Sequence, residues 1–130
     1  MAIAVSAMMI VGIADIALAD RYTTIRGTDA SERLDGGPGR QRILGMGGDD
    51  FLTGGKSSDV LRGGDGNDKL WTGKGGATEE GWGGRGNDRV HSHGSGNSPD
   101  LVSGGPGKDH CSGGTMDTYI GCEWINGEKA

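Results

Sequence analysis

Acidic residues recur along this 130-residue chain at a spacing that can build an ion site. Glu32, Asp50 and Asp68 follow one another at steps of eighteen, and Asp88 and Asp109 continue at steps of twenty and twenty-one. A single such carboxylate is ordinary turn chemistry, because Asp and Asn side chains close turns on their own backbone. A column of them is not. If the chain coils about once per eighteen residues, these side chains stack, and a like-charged column repels itself unless a cation lies between its members. A large, hard divalent cation takes six to eight oxygen ligands, carboxylates and carbonyls among them. A second series, Gln41, Asp59, Ala77, Asp100 and Thr118, falls half a period away. Counted so, it holds no two neighbouring carboxylates, and sites at Asp59 or Asp100 are expected to be weak or empty.

The elements that must position these acids are visible as a nine-residue repeat. From Gly27 the chain reads GTDASERLD (27–35), GGPGRQRIL (36–44), GMGGDDFLT (45–53), GGKSSDVLR (54–62) and GGDGNDKLW (63–71). TGKGGATEEGW (72–82) is degenerate and two residues longer. GGRGNDRVH (83–91), SHGSGNSPDLVS (92–103, three residues longer), GGPGKDHCS (104–112) and the imperfect GGTMDTYIG (113–121) complete the array. The template is G-G-x-G-x-D-x-U-x, with U apolar. Its first six positions are rich in residues that tolerate turns. Its last three make a short strand whose middle residue points inward. The inward columns are then Leu34, Leu52, Leu70, Val90 and Cys111 on one side, and Ile43, Leu61, Glu79, Val102 and Ile120 on the other. Glu79 breaks the second column, and Trp82 is a candidate to fill that gap. The 72–82 stretch is expected to bulge or to be the most mobile part. Pro38 and Pro106 fall in turns and Pro99 in an inserted loop, so no proline interrupts a strand.

In these repeats the sequence resembles the hemolysin-type (RTX) calcium-binding nonapeptide family. GGDGNDKLW and GGRGNDRVH match the template at every defined position, and the resemblance runs from about Gly27 to about Gly121. It implies an all-β, right-handed parallel β-roll of about five 18-residue coils. It also implies calcium between successive turns on one edge, held by aspartate oxygens and backbone carbonyls. About three ions are expected on the odd-repeat edge: between Asp50 and Asp68, Asp68 and Asp88, and Asp88 and Asp109. Glu32 with Asp50 is a weaker site, since Glu is longer than the template acid. The turn glycines of these sites are Gly48, Gly63, Gly64, Gly66, Gly83, Gly84, Gly86, Gly104, Gly105 and Gly107. Asp117 sits one position early in its repeat, and no site is assigned to it.

Composition is consistent with a repeat fold. Of 29 glycines, all but Gly12 lie at or after Gly27, and aromatic residues are only 5%, too few for an ordinary globular core. A net charge of −5 with scattered basic residues does not suggest nucleic acid. Residues 1–19 are apolar and end in Ala17-Leu18-Ala19, which reads as a signal peptide with export from the cell. The run carries Asp15 and no Lys or Arg, so a membrane anchor or an N-terminal helix are alternative readings. Residues 20–26 are expected to lead into the first strand, 27–121 to form the roll and 122–130 to cap it. Cys111 and Cys122 are expected to pair, in keeping with export; two buried thiols are the alternative. His91 and His93 share one side of a strand without an evident third metal ligand.

No G-x-S-x-G or H-E-x-x-H motif occurs, and no nucleophile–base–orienter set is visible. The expected function is therefore a secreted, monomeric, non-catalytic calcium module that folds on binding the ion, with no membrane span once mature. A tail or remnant of a secreted hydrolase or toxin, and an extracellular adhesive protein, are the alternatives. The outward residues, including Arg33, Phe51, Lys69, Trp71, Arg89 and His91, show no regular aromatic or threonine ladder, so no partner class follows from them.

Overall fold

The computed structural model describes residues 22–75, 77–93 and 98–130. Residues 1–19, the expected signal or anchor, lie outside them. Among the described residues there is no helix. One sheet has six strands in the order β1 (Thr23–Arg26), β3 (Gln41–Met46), β5 (Val60–Asp65), β7 (Glu80–Arg85), β9 (Leu101–Ser103) and β11 (Thr118–Ile120). The other has seven: β2 (Arg33–Asp35), β4 (Phe51–Thr53), β6 (Lys69–Trp71), β8 (Arg89–His91), β10 (His110–Ser112), β12 (Trp124–Ile125) and β13 (Glu128–Lys129). All pairs are parallel except β12 with β13. Apart from that hairpin, strand neighbours are two apart in sequence, so the chain visits one sheet and then the other. The result is a β-solenoid of about five turns, as the repeat period requires.

The register puts one apolar column on each inner face. Leu34, Leu52, Leu70, Val90 and Cys111 stack on one sheet. Ile25, Ile43, Leu61, Gly81, Val102 and Tyr119 stack on the other. The large members of both columns form the core.

The second column corrects the expected one at two points. Gly81 holds the inward position assigned to Glu79, and Tyr119 the one assigned to Ile120, which is 49% exposed. Trp82 does not fill the gap; it is half-buried, with Arg62 over its ring and its Nε1–H donating to Glu80. The space over Gly81 is taken by Val90 Cγ1 and Thr72 Cγ2, which would lie 2.7 and 3.1 Å from an added Cβ. The two extra residues of 72–82 lie ahead of β7. From Val60↔Glu80 to Asp65↔Arg85 the pairing runs without interruption.

At the C-terminal end, Cys111 and Cys122 form a disulfide with Cα atoms 5.9 Å apart. It ties β10 to the segment that leaves β11. Closing a loop of eleven residues restricts the unfolded chain by about 3 kcal/mol. The last residues then continue the second sheet, with Trp124 stacked on His110 at 4.5 Å.

Coil contact is tightest where turn glycines lie over one another. Gly84 has φ of +106°, and a Cβ there would collide with the Gly64 carbonyl. Gly37 has no atom within 4 Å of such a Cβ. Gly84→Ala is therefore expected to destabilise the roll by about 2 kcal/mol or more, through strain and overlap together. Gly37→Ala should be close to neutral. Thermal unfolding of both variants under identical conditions checks this; equal melting shifts would refute it.

Candidate metal site

The acid position is held by the same bond on coil after coil. The backbone N–H of Glu32 donates to Asp50 Oδ1 at 2.8 Å, that of Asp50 to Asp68 at 2.8 Å and that of Asp68 to Asp88 at 2.8 Å. Asp88 continues the column to Asp109 at 2.7 Å, and Asp109 to Glu123 Oε2 at 2.7 Å. Each carboxylate thus satisfies an N–H one coil earlier. The expected odd-edge series is brought together in full, and Glu123 extends it.

The other edge differs from its expected form. Strand register aligns Gln41, Asp59, Glu79, Asp100 and Asp117. The Gln41 N–H donates to Asp59 Oδ1 at 2.7 Å, Glu79 to Asp100 at 3.0 Å and Asp100 to Asp117 at 3.1 Å. Ala77 is instead exposed in the turn, and Thr118 lies on β11 opposite Leu101. This edge is a carboxylate ladder too, and the reason for expecting Asp59 and Asp100 to be isolated falls away. Counting forward from the first residue of 72–82 and of 113–121 is what puts Ala77 and Thr118 at the acid position. In this sequence the acid-position residue lies four before the glycine that opens the next turn: Asp59 before Gly63, Glu79 before Gly83, Asp117 before Gly121 and Glu123 before Gly127. Insertions enter the turn, while the strand half keeps its length.

One oxygen of most of these groups has no partner. Oδ2 of Asp50, Asp59, Asp68, Asp88, Asp100 and Asp109, and Oε1 of Glu79, are buried without a hydrogen bond. An ionised oxygen left so is costly, and native structures rarely leave one unexplained. The glycines face these oxygens. A Cβ added to Gly63 would collide with Asp68 Oδ2 and lie 2.6 Å from the Gly83 carbonyl oxygen. Gly83 stands likewise between Asp88 Oδ2 and the Gly104 carbonyl, and Gly104 between Asp109 Oδ2 and the Gly121 carbonyl. Gly64, Gly66, Gly86, Gly105 and Gly107 approach the backbone of the preceding coil, as Gly48 does at Ala30. Carboxylate and carbonyl oxygens therefore crowd the same spots, where a side chain would not fit. Among the described residues no three His, Cys, Asp or Glu side chains form a cluster. An ion in these turns must take many of its ligands from backbone carbonyls, a donor set that suits calcium rather than zinc.

The ladder ends are built differently. Glu32 accepts the Thr28 N–H at 2.8 Å on one oxygen and the Thr28 hydroxyl at 2.7 Å on the other. Asp117 accepts the Asp100 N–H on one oxygen, and the Ser92 hydroxyl and the Gly114 N–H on the other. Both carboxylates are satisfied by the protein itself. A parallel outer ladder lies beside the odd edge: the N–H of Asn67 donates to Asp49, that of Asn87 to Asn67 and that of Lys108 to Asn87, at 2.8 to 3.0 Å.

Among known families, the model described as the RTX calcium-binding nonapeptide repeat matches in four copies, over residues 26–57, 44–78 and 95–115. These matches cover more than half of the chain. The chain belongs to the RTX calcium-binding nonapeptide repeat family. No curated protein and no solved structure matches it. Membership in the RTX family implies calcium as the ion, and the unpartnered oxygens fit that ion.

Burial is also the main cause of unusual proton affinity here. Desolvation pushes Asp50, Asp59 and Asp68 up to about 6, and Glu79 and Asp88 up to about 7, with neighbouring carboxylates adding to the rise for all of these except Asp59. In the unfolded chain these groups titrate near 4. The folded, calcium-stripped roll therefore binds more protons between about pH 4 and 7. This contribution to stability is complete below the unfolded values and is lost as pH rises through 6 to 7. His91, held low by desolvation, acts in the opposite direction but is a single group. The strand signal that calcium-stripped protein retains in far-UV circular dichroism is expected to fall from pH 5 to pH 8. A rise over that range would contradict the assignment of these oxygens as buried and unpartnered.

Proposed function

We propose that this RTX chain is a secreted, non-catalytic calcium module whose folding is driven by the ion. The supporting observation is the pair of coil-spaced ladders carrying seven buried, unpartnered carboxylate oxygens. On the odd edge the ions lie between Asp50 and Asp68, Asp68 and Asp88, and Asp88 and Asp109. On the other edge Asp59, Glu79 and Asp100 serve in the same way. Turn carbonyls of the glycines complete each ligand set. The ion supplies positive charge between carboxylates that otherwise repel. Glu32 and Asp117, already satisfied by Thr28, Ser92 and Gly114, close the ladders without holding an ion.

The coupling to folding follows from the energetics. Glycine loses more conformational entropy on ordering than any other residue, and the core is two thin columns. A ligand that binds only the folded state adds its binding free energy to stability. Extracellular calcium modules bind at about 10⁻⁴–10⁻³ M. Calcium-poor cytoplasm would keep such a chain loose, and the outside would fold it. The Cys111–Cys122 disulfide is in keeping with an oxidising compartment.

The test is far-UV circular dichroism during a calcium titration from a chelated start, with magnesium as control. Calcium alone should drive a coil-to-strand transition. Asp68→Asn keeps the acceptor for the Asp50 N–H but removes charge from two proposed sites, and should raise the calcium midpoint about tenfold. Glu32→Gln should leave it nearly unchanged. A roll already folded in chelator and indifferent to calcium would overturn the proposal.

A further inference from the structure

The outer face of the seven-stranded sheet carries a second feature that the calcium ladders do not use. Read separately, its two outward rows show no ladder; register interleaves them. Phe51, Lys69, Arg89 and His110 share one row, and Trp71 and His91 the other. Phe51 and Trp71 have ring centroids 5.7 Å apart across the two rows, and Trp71 and His91 5.8 Å along one row, so the rings form a continuous line up the stack. The Ser112 hydroxyl at 2.7 Å from His91 Nδ1 fixes that imidazole. These six side chains line an open depression of about 410 Å³, a size that small ligands fill.

Two properties define what fits. Trp71 is 52% exposed, although large aromatic side chains are scarce in this chain. None of the six is acidic, while the chain as a whole carries −5. Lys69 and Arg89 are exposed and, among the described residues, make no ion pair. The depression thus offers flat π faces beside unneutralised cations. A sugar ring presents a face of C–H groups to an aromatic ring, and a carboxylate or sulfate on it meets Lys69 or Arg89. A long polyanion such as single-stranded nucleic acid meets the same chemistry, but it would run on into the carboxylate edges that flank the sheet.

We propose that this face binds a short acidic saccharide, with rings on Phe51, Trp71 and His91 and acid groups toward Lys69 and Arg89. It goes beyond the calcium role and requires only that the roll be folded. The full chain in saturating calcium is titrated with an oligouronate, a sulfated oligosaccharide, a neutral oligosaccharide of equal length and a short oligonucleotide. Tryptophan fluorescence and calorimetry report binding, and far-UV circular dichroism on the same samples reports the fold. Either acidic saccharide should bind and the neutral one should not; which acid binds identifies the acid group. Trp71→Ala, and Lys69→Gln with Arg89→Gln, should each weaken binding by about tenfold or more with the fold intact. Equal binding of the neutral sugar, tighter binding of the oligonucleotide, no binding by a folded protein, or unchanged binding by both variants would each overturn it.

Discussion

In this roll the acid-position aspartates accept the backbone N–H of their counterpart one coil earlier, and that bond decides much else. It holds one oxygen in place and turns the other into buried space beside the next coil's carbonyls. Parallel strands stack about 4.8 Å apart, so the same charge recurs at short range along both edges. The turn must pass close to its neighbours, which excludes a side chain at Gly63, Gly83 and Gly104. Glycine content, acid spacing and the demand for a cation are thus one constraint seen three ways.

Where the repetition stops, the molecule changes its chemistry. Thr28 satisfies Glu32 at the first coil, and Ser92 with Gly114 satisfies Asp117 at the last. The disulfide secures the end of the core, and the antiparallel β13 terminates the second sheet. Under the proposed function, these devices leave the central coils as the part that would depend most on an ion.

Much of this was legible before the structure. The period fixes two edges and two inward columns, and the odd-edge acids could be named directly because their repeats are close to the template. The even edge was misread because length variation was assigned to the wrong half of the repeat. A strand paired on both sides cannot absorb extra residues without shifting every inward side chain, whereas a turn can. Counting four back from the glycine that opens the next turn would have found Glu79, Asp117 and Glu123. The line of Phe51, Trp71 and His91 was harder to see. Phe51 stands in one outward row and Trp71 and His91 in the other, and the line exists only through the pairing of β4, β6 and β8.

The central claim is that cations satisfy the unpartnered carboxylate oxygens. Anomalous diffraction from crystals grown in calcium tests it most directly, because it locates the ions without reference to the fold. The account predicts anomalous peaks between successive acids on both edges, beside Asp50, Asp68, Asp88 and Asp109 and beside Asp59, Glu79 and Asp100, with none at Asp117. Turns without peaks, their carboxylates bridged by protons or water alone, would contradict it.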